Sequence, residues 1–180
     1  MRTCWQWESW SVKDHGLDVH AWFLDLYAHV SQGTPTHLQW RLPEWVGHPG
    51  LAQRLLPLDI LRTYQMYHDC GKPFCREVDV ENRQHFPGHA ETSHRTWMRY
   101  AETQEDGQVG ELIRMDMLAH TVKGDAIEPF LLHKEAPSLV LTGLAEIHSN
   151  ANRLGQLDSD GFKIKLKQLA KVGKRMVAKF

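Results

Sequence analysis

Apolar residues in this chain return every three or four positions, and no convincing run of alternating apolar and polar residues interrupts them. That pattern restricts the chain to helices. Val19, Trp22, Phe23, Leu26 and Val30 mark a first helix over residues 11–30, stopped by the Ser31-Gln-Gly-Thr-Pro35 stretch. A long connection follows, punctuated by Pro35, Pro43, Pro49 and Gly50. Pro57 suits the first turn of a second helix through Leu58, Leu61 and Met66 to Asp69 or Cys70, with Gly71 and Pro73 as its stop. Residues 81–87 read as a loop, 88–100 as a helix and 104–107 as a turn. Further helices are predicted over 109–122, 126–133 and 137–152, then a polar loop over 155–161. Phe162, Leu166, Leu169, Val172, Met176 and Phe180 give a last amphipathic helix one apolar side. The reading is an all-α bundle, with residues 1–161 as one helical domain and 162–180 as a basic helix packed on it or extending it.

At 180 residues and 42% hydrophobic content, the chain can bury a core without disulfides or a structural metal. It has no apolar run long enough for a membrane span and no secretory pattern at its start. Three cysteines, Cys4, Cys70 and Cys75, are too few and too irregular for a disulfide framework or a zinc ribbon, so a cytoplasmic location is expected. No Walker loop, dinucleotide-binding glycine pattern or nucleophile elbow is present. Seven of the 21 basic residues lie between Lys163 and Lys179 with no acid among them, leaving the remainder of the chain acidic. The six tryptophans before Val46 are read as packing residues. Twelve histidines, against four tyrosines, direct attention to metal or proton chemistry.

The strongest local signal is Tyr67-His68-Asp69-Cys70-Gly71-Lys72-Pro73. An imidazole beside a carboxylate at a helix end offers two unlike ligands to one metal, and the carboxylate can bridge to a second. Further histidines lie on other predicted helices. His89 follows in His85-Phe-Pro-Gly-His89-Ala-Glu91, and His120 in Asp116-Met-Leu-Ala-His120. Asp116, His120 and Lys123 fall at i, i+4 and i+7, hence on one face of their predicted helix. His15 lies four residues before Val19, on the apolar stripe, where a buried imidazole needs a partner. His37, the other candidate for a first ligand, sits between Pro35 and Pro43 in a loop. His20, His29, His48, His94, His133 and His148 are read as surface or packing residues.

On these residues the chain resembles the HD-domain superfamily of metal-dependent phosphohydrolases, most nearly the HD domain attached to bacterial CCA-adding enzymes. The resemblance covers roughly residues 11–153. It implies a helical bundle with a central metal site. His68 and Asp69 match the family's His-Asp pair, Lys72 the lysine of its His-Asp-x-Gly-Lys string, and His89 its Gly-His segment. Val12-Lys-Asp-His15-Gly-Leu-Asp-Val19 looks like its first-helix motif. Glu146, in Leu141-Thr-Gly-Leu-Ala-Glu146, stands where the family has an aspartate, keeping the carboxylate on a longer arm.

The resemblance therefore implies hydrolysis of a phosphate ester in a nucleotide or nucleic-acid end by metal-activated water. The expected metal ligands are His15, His68, Asp69 and Glu146, with His89 and His120 completing a second site. Imidazole and carboxylate ligands suit one or two ions of manganese, iron, cobalt, nickel or zinc better than magnesium. Lys72 and Lys123 are expected to stabilise phosphoryl charge, and Asp116 to orient His120 or accept a proton. Lys163, Lys167, Lys171 and Lys174 are expected to contact phosphates of a nucleic acid. The alternatives are a 2′,3′-cyclic phosphodiesterase or 2′-phosphatase on RNA ends, and a non-catalytic nucleotide- or nucleic-acid-binding protein.

Overall fold

Ser11 and Asp14 close a reciprocal cap at the start of the first helix. The Ser11 backbone and hydroxyl donate to Asp14 Oδ2 (3.1 and 2.7 Å), and the Asp14 backbone donates back to Ser11 Oγ (3.2 Å). From there α1 runs Val12–Gln32, with Val12, Val19, Trp22, Phe23 and Leu26 buried. The computed structural model describes residues 1–7, 10–153 and 155–180. Those residues form an all-α protein in the order α2 (Leu58–Tyr67), α3 (His89–Met98), α4 (Gln104–Met115), α5 (Leu118–Thr121), α6 (Ile127–Phe130), α7 (Ala136–Arg153) and α8 (Asp160–Val177). Two small antiparallel ribbons join them: β1 (Trp5–Trp7) with β2 (Trp10–Ser11), and β3 (Glu77–Val78) with β4 (Gln84–His85). Strands of two or three residues are too short for alternation to show in a sequence, and β4 falls inside the expected loop. No helix among the described residues is long and apolar enough to cross a membrane.

The chain divides into two compact units, residues 1–18 with 57–117 and residues 19–56 with 118–180. In the first, α4 packs against both α2 and α3. Thr103 caps α4, donating to and accepting from Asp106, so residues 104–107 are its first turn and not the separate turn expected. The continuous helix expected over 109–122 is also absent. It breaks after Met115, at buried Asp116, whose Oδ1 accepts from the Tyr64 hydroxyl of α2. No glycine or proline marks that break; a buried side-chain hydrogen bond sets it. The shared face assumed for Asp116, His120 and Lys123 is lost with it.

In the second unit α7 is buried over almost its whole length, because it carries no charge between Ala136 and Ala145. α8 lies against α7 and against the short 3₁₀ turn at Glu44–Gly47. Ser159 caps α8 by accepting from the Phe162 backbone at 3.2 Å. Its apolar side buries Phe162, Leu169, Val172 and Met176, as the spacing predicts.

His148 on α7 lies among the rings of Trp40, Phe162 and Trp22, at centroid distances of 4.6, 5.0 and 6.0 Å. Its Nδ1 donates to the Leu144 carbonyl (2.8 Å), and its Nε2 accepts from the Arg41 backbone (3.0 Å). Burial pushes its pKa down to about 4, with the Arg41 charge acting in the same direction. The unfolded chain takes up this proton near its ordinary value and the folded chain resists it. Stability is therefore held above pH 6.5 and lost as pH falls toward 4, by roughly 3 kcal/mol in full. Urea titrations at pH 7 and 4.5 should show that loss, and His148→Gln should remove most of the difference between the two.

Candidate functional site

In the first unit, the end of α2 gathers the residues of the His-Asp string. The chain leaves the helix through successive tight turns. The His68 backbone bonds to the Tyr64 carbonyl (2.7 Å), Cys70 to Tyr67 (2.9 Å) and Lys72 to Asp69 (3.0 Å). This places Asp69 and Lys72 three residues apart on one side, and Lys72 Nζ donates to Asp69 Oδ2 at 2.6 Å. Both side chains are buried. Two close approaches bring in the neighbouring helices. A Cβ on Gly16 would lie 2.7 Å from the Met66 carbonyl oxygen, so α1 presses directly on the end of α2. A Cβ on Gly71 would lie 2.2 Å from the Ser93 backbone nitrogen, and the Gly71 N–H donates to Ser93 Oγ at 2.9 Å. α3 is thereby seated on the turn, with His89 at its first position.

Three imidazoles surround the Asp69 carboxylate. Nε2 of His68 and of His15 lie 3.3 and 3.5 Å from Oδ2, and Nε2 of His89 lies 3.7 Å from Oδ1. The His15 and His68 rings meet edge-on at 5.1 Å. Burial would raise the Asp69 pKa, but the Lys72 ammonium, with His68 and His15, holds it far below the usual carboxylate range. Buried Oδ1 accepts no hydrogen bond among the described residues. The tautomers are fixed from behind. Nδ1 of His68 donates to the Gln65 carbonyl (2.8 Å) and Nδ1 of His89 to the Phe86 carbonyl (3.1 Å). In the neutral ring, Nε2 carries the lone pair on the side that faces Asp69. His15 and His68 belong to a group of side chains whose ligand atoms could hold a metal ion, and Asp69 and His89 lie beside them.

The surrounding residues support this arrangement. Tyr64, which donates to Asp116, places its ring 6.2 Å from that of His68. Lys72 Nζ lies 5.3 Å from the centre of the Phe86 ring. Burial, followed by the Asp69 charge, pushes the Cys70 thiol up to about 11, and its Sγ donates to the Ser93 carbonyl. Cys70 is thus a protonated packing residue. Sequence reasoning did not single out Tyr64, Gln65, Ser93 or Phe86. Tyr64 was legible as the residue one helical turn before His68; the other three act through contacts between elements or through backbone.

The remaining expected residues lie in the second unit. His120 on α5 and Glu146 on α7 pair with each other, Nε2 to Oε2 at 3.2 Å, both half-buried. Lys123 is exposed just before a 3₁₀ turn, and His37 is exposed in the long connection. Lys163, Lys167, Lys171 and Lys174 are exposed on α8. Trp22 and Trp40 pack against each other (4.8 Å), and Trp10 and Trp45 are buried, as expected of packing residues, whereas Trp5 is 49% exposed. Comparison with protein-family models, with curated proteins and with solved structures finds no match to this chain. The likeness to HD domains rests on the motif residues themselves.

The Gly71 contact gives a direct stability test. Gly71→Ala should lower the unfolding free energy by about 1–3 kcal/mol, because the methyl meets the α3 backbone and not a mobile side chain. Gly107→Ala, half-buried in the first turn of α4 with nothing within 4 Å of an added Cβ, should be neutral or stabilising in the same urea titration.

Proposed function

We propose that the chain is a metal-dependent phosphohydrolase whose centre lies in the first unit, and that its substrate is a phosphate ester of a nucleotide or nucleic-acid end. The observation that carries this reading is the shared orientation of His68 and His89. Each donates Nδ1–H to a backbone carbonyl and turns Nε2 toward one buried carboxylate. Metal-bound histidines are commonly held in this way from behind. His15 adds a third nitrogen, and the open Oδ1 of Asp69 adds an oxygen. This mixed donor set suits manganese, iron, cobalt, nickel or zinc. When bound, such an ion supplies a water of lowered pKa and stabilises charge on the phosphoryl oxygens.

The protein residues divide the remaining work. Lys72 balances Asp69 and fixes its orientation. His15, His68 and Asp69 are buried and exclude bulk water, which strengthens every electrostatic contact among them. The His89 side chain, 23% exposed, is the member of the group that reaches solvent, and with it substrate. Asp116 is a positioning residue, acting on His68 through Tyr64.

Elemental analysis of protein purified without chelator should find a transition metal in a substantial fraction of chains. Metal below about a tenth of an equivalent, with no binding on titration, overturns the centre. His15→Ala should lose the metal, while His37→Ala should keep it. The substrate class is tested by screening nucleotides and phosphorylated oligonucleotides with each metal added separately. His89→Ala should lower metal affinity or turnover more than about tenfold while remaining folded by circular dichroism. A metal-loaded protein that hydrolyses none of these esters overturns the enzyme reading.

A further inference from the structure

α8 carries a second stripe beside its buried one. Leu166, Ala170 and Val177 are half-buried at helical spacing, and exposed Lys163, Lys167 and Lys174 run along their outer side. Facing them, residues 41–49 form an opposing wall that includes Leu42, Pro43 and the 3₁₀ turn holding Trp45. Between the walls lie two cavities of about 380 and 570 Å³, which share Pro43 and Ala170 and so form one groove. Its lining is largely apolar, with the rings of Trp45 and His48 on one wall, and its rim carries Arg41, Lys163, Lys167 and Lys174 against a single acid among the described lining residues, Glu44. Arg41 is paired with Asp158, and Lys163 lies 3.8 Å from Asp160. Lys167, Lys171 and Lys174 form no ion pair among the described residues. Arg175 and Lys179, by contrast, both lie against Glu128.

We propose that this groove binds an acidic amphipathic helix of a protein partner. The apolar floor calls for an apolar stripe and the lysine rim for carboxylates beside it. From Lys163 to Val177 the groove measures about 21 Å, the length of a helix of roughly 14 residues. An extended peptide has nothing to pair with here, since the facing wall is a 3₁₀ turn flanked by Pro43 and Pro49 and presents no strand edge. A nucleic-acid strand would use the lysines but not the floor. Stacking needs exposed rings, and Trp45 and Phe162 are 5% and 4% exposed. The proposal is independent of any reaction in the first unit.

The test uses the full chain and three fluorescent probes. These are a 14-residue peptide with leucines on one helical face and glutamates beside them, a scrambled peptide of the same composition, and a single-stranded oligonucleotide of matched charge. The patterned peptide should bind at least about tenfold more tightly than the scrambled one. Charge reversal by Lys167→Glu with Lys174→Glu should weaken it about tenfold or more. Ala170→Asp, with folding checked by circular dichroism, should weaken it comparably. Equal binding of the two peptides overturns the proposal, as does no binding of either. Preferential binding of the oligonucleotide, abolished by the lysine changes but indifferent to Ala170→Asp, identifies a phosphate surface and also overturns it.

Discussion

A carboxylate without water organises the first unit. Asp69 stays ionised at 2% exposure because the Lys72 ammonium contacts it directly. Desolvating such a pair costs several kcal/mol per ion, and the mutual attraction repays this only when the geometry is close to ideal. The local structure enforces that geometry. The tight turns after α2 fix the spacing of Asp69 and Lys72, Gly16 admits α1, and Gly71 with Ser93 anchors α3. Well-packed apolar residues in the same place would make as stable a helix end. A helix end that gathers Asp, Lys and two buried His instead sacrifices packing energy for a polar cluster that can hold a cation.

The second unit solves a different electrostatic problem. Its central helix, α7, carries no charge until Glu146, so it can be buried from most sides. The lysines of α8 are kept outward by an apolar side that docks through Phe162, Leu169, Val172 and Met176. Glu128 gathers Arg175 and Lys179 at one end of the helix, and Asp158 takes Arg41 near the other. The lysines in the middle of the helix form no ion pair among the described residues. Surface cations left in this way contribute little to stability.

Much of this was legible in the residues. The first and last helices followed from apolar spacing, and α2 from Pro57 at one end and Gly71-Lys72-Pro73 at the other. The nearness of His15 to His68 and Asp69 was readable because His15 falls on the stripe of Val12 and Val19, the side that turns inward. The break after Met115 was not legible. Helix propensity favours continuing through Asp116-Met-Leu-Ala, and what stops it is a hydroxyl from α2, 52 residues earlier in the chain. The short ribbons were invisible for a related reason. Two paired residues leave no period to detect, and in the second ribbon Asp79 sets the turn by accepting from the Glu81 and Arg83 backbones.

The histidines show why residue type alone does not assign a role. His68, His89 and His148 all donate Nδ1–H to a backbone carbonyl three or four residues earlier. That hydrogen bond is a local product of helix or turn geometry and carries no functional information by itself. The difference lies opposite Nε2. At His148 the Arg41 backbone N–H fills that position, so a neutral imidazole is satisfied within the protein and acts as an aromatic core residue. At His68 and His89 the opposite group is the buried Asp69 carboxylate. One ring is satisfied by a backbone N–H, and the other two face a buried charge. This contrast separates the structural histidine from the candidate ligands, and it depends on what each ring faces rather than on its spacing in the chain.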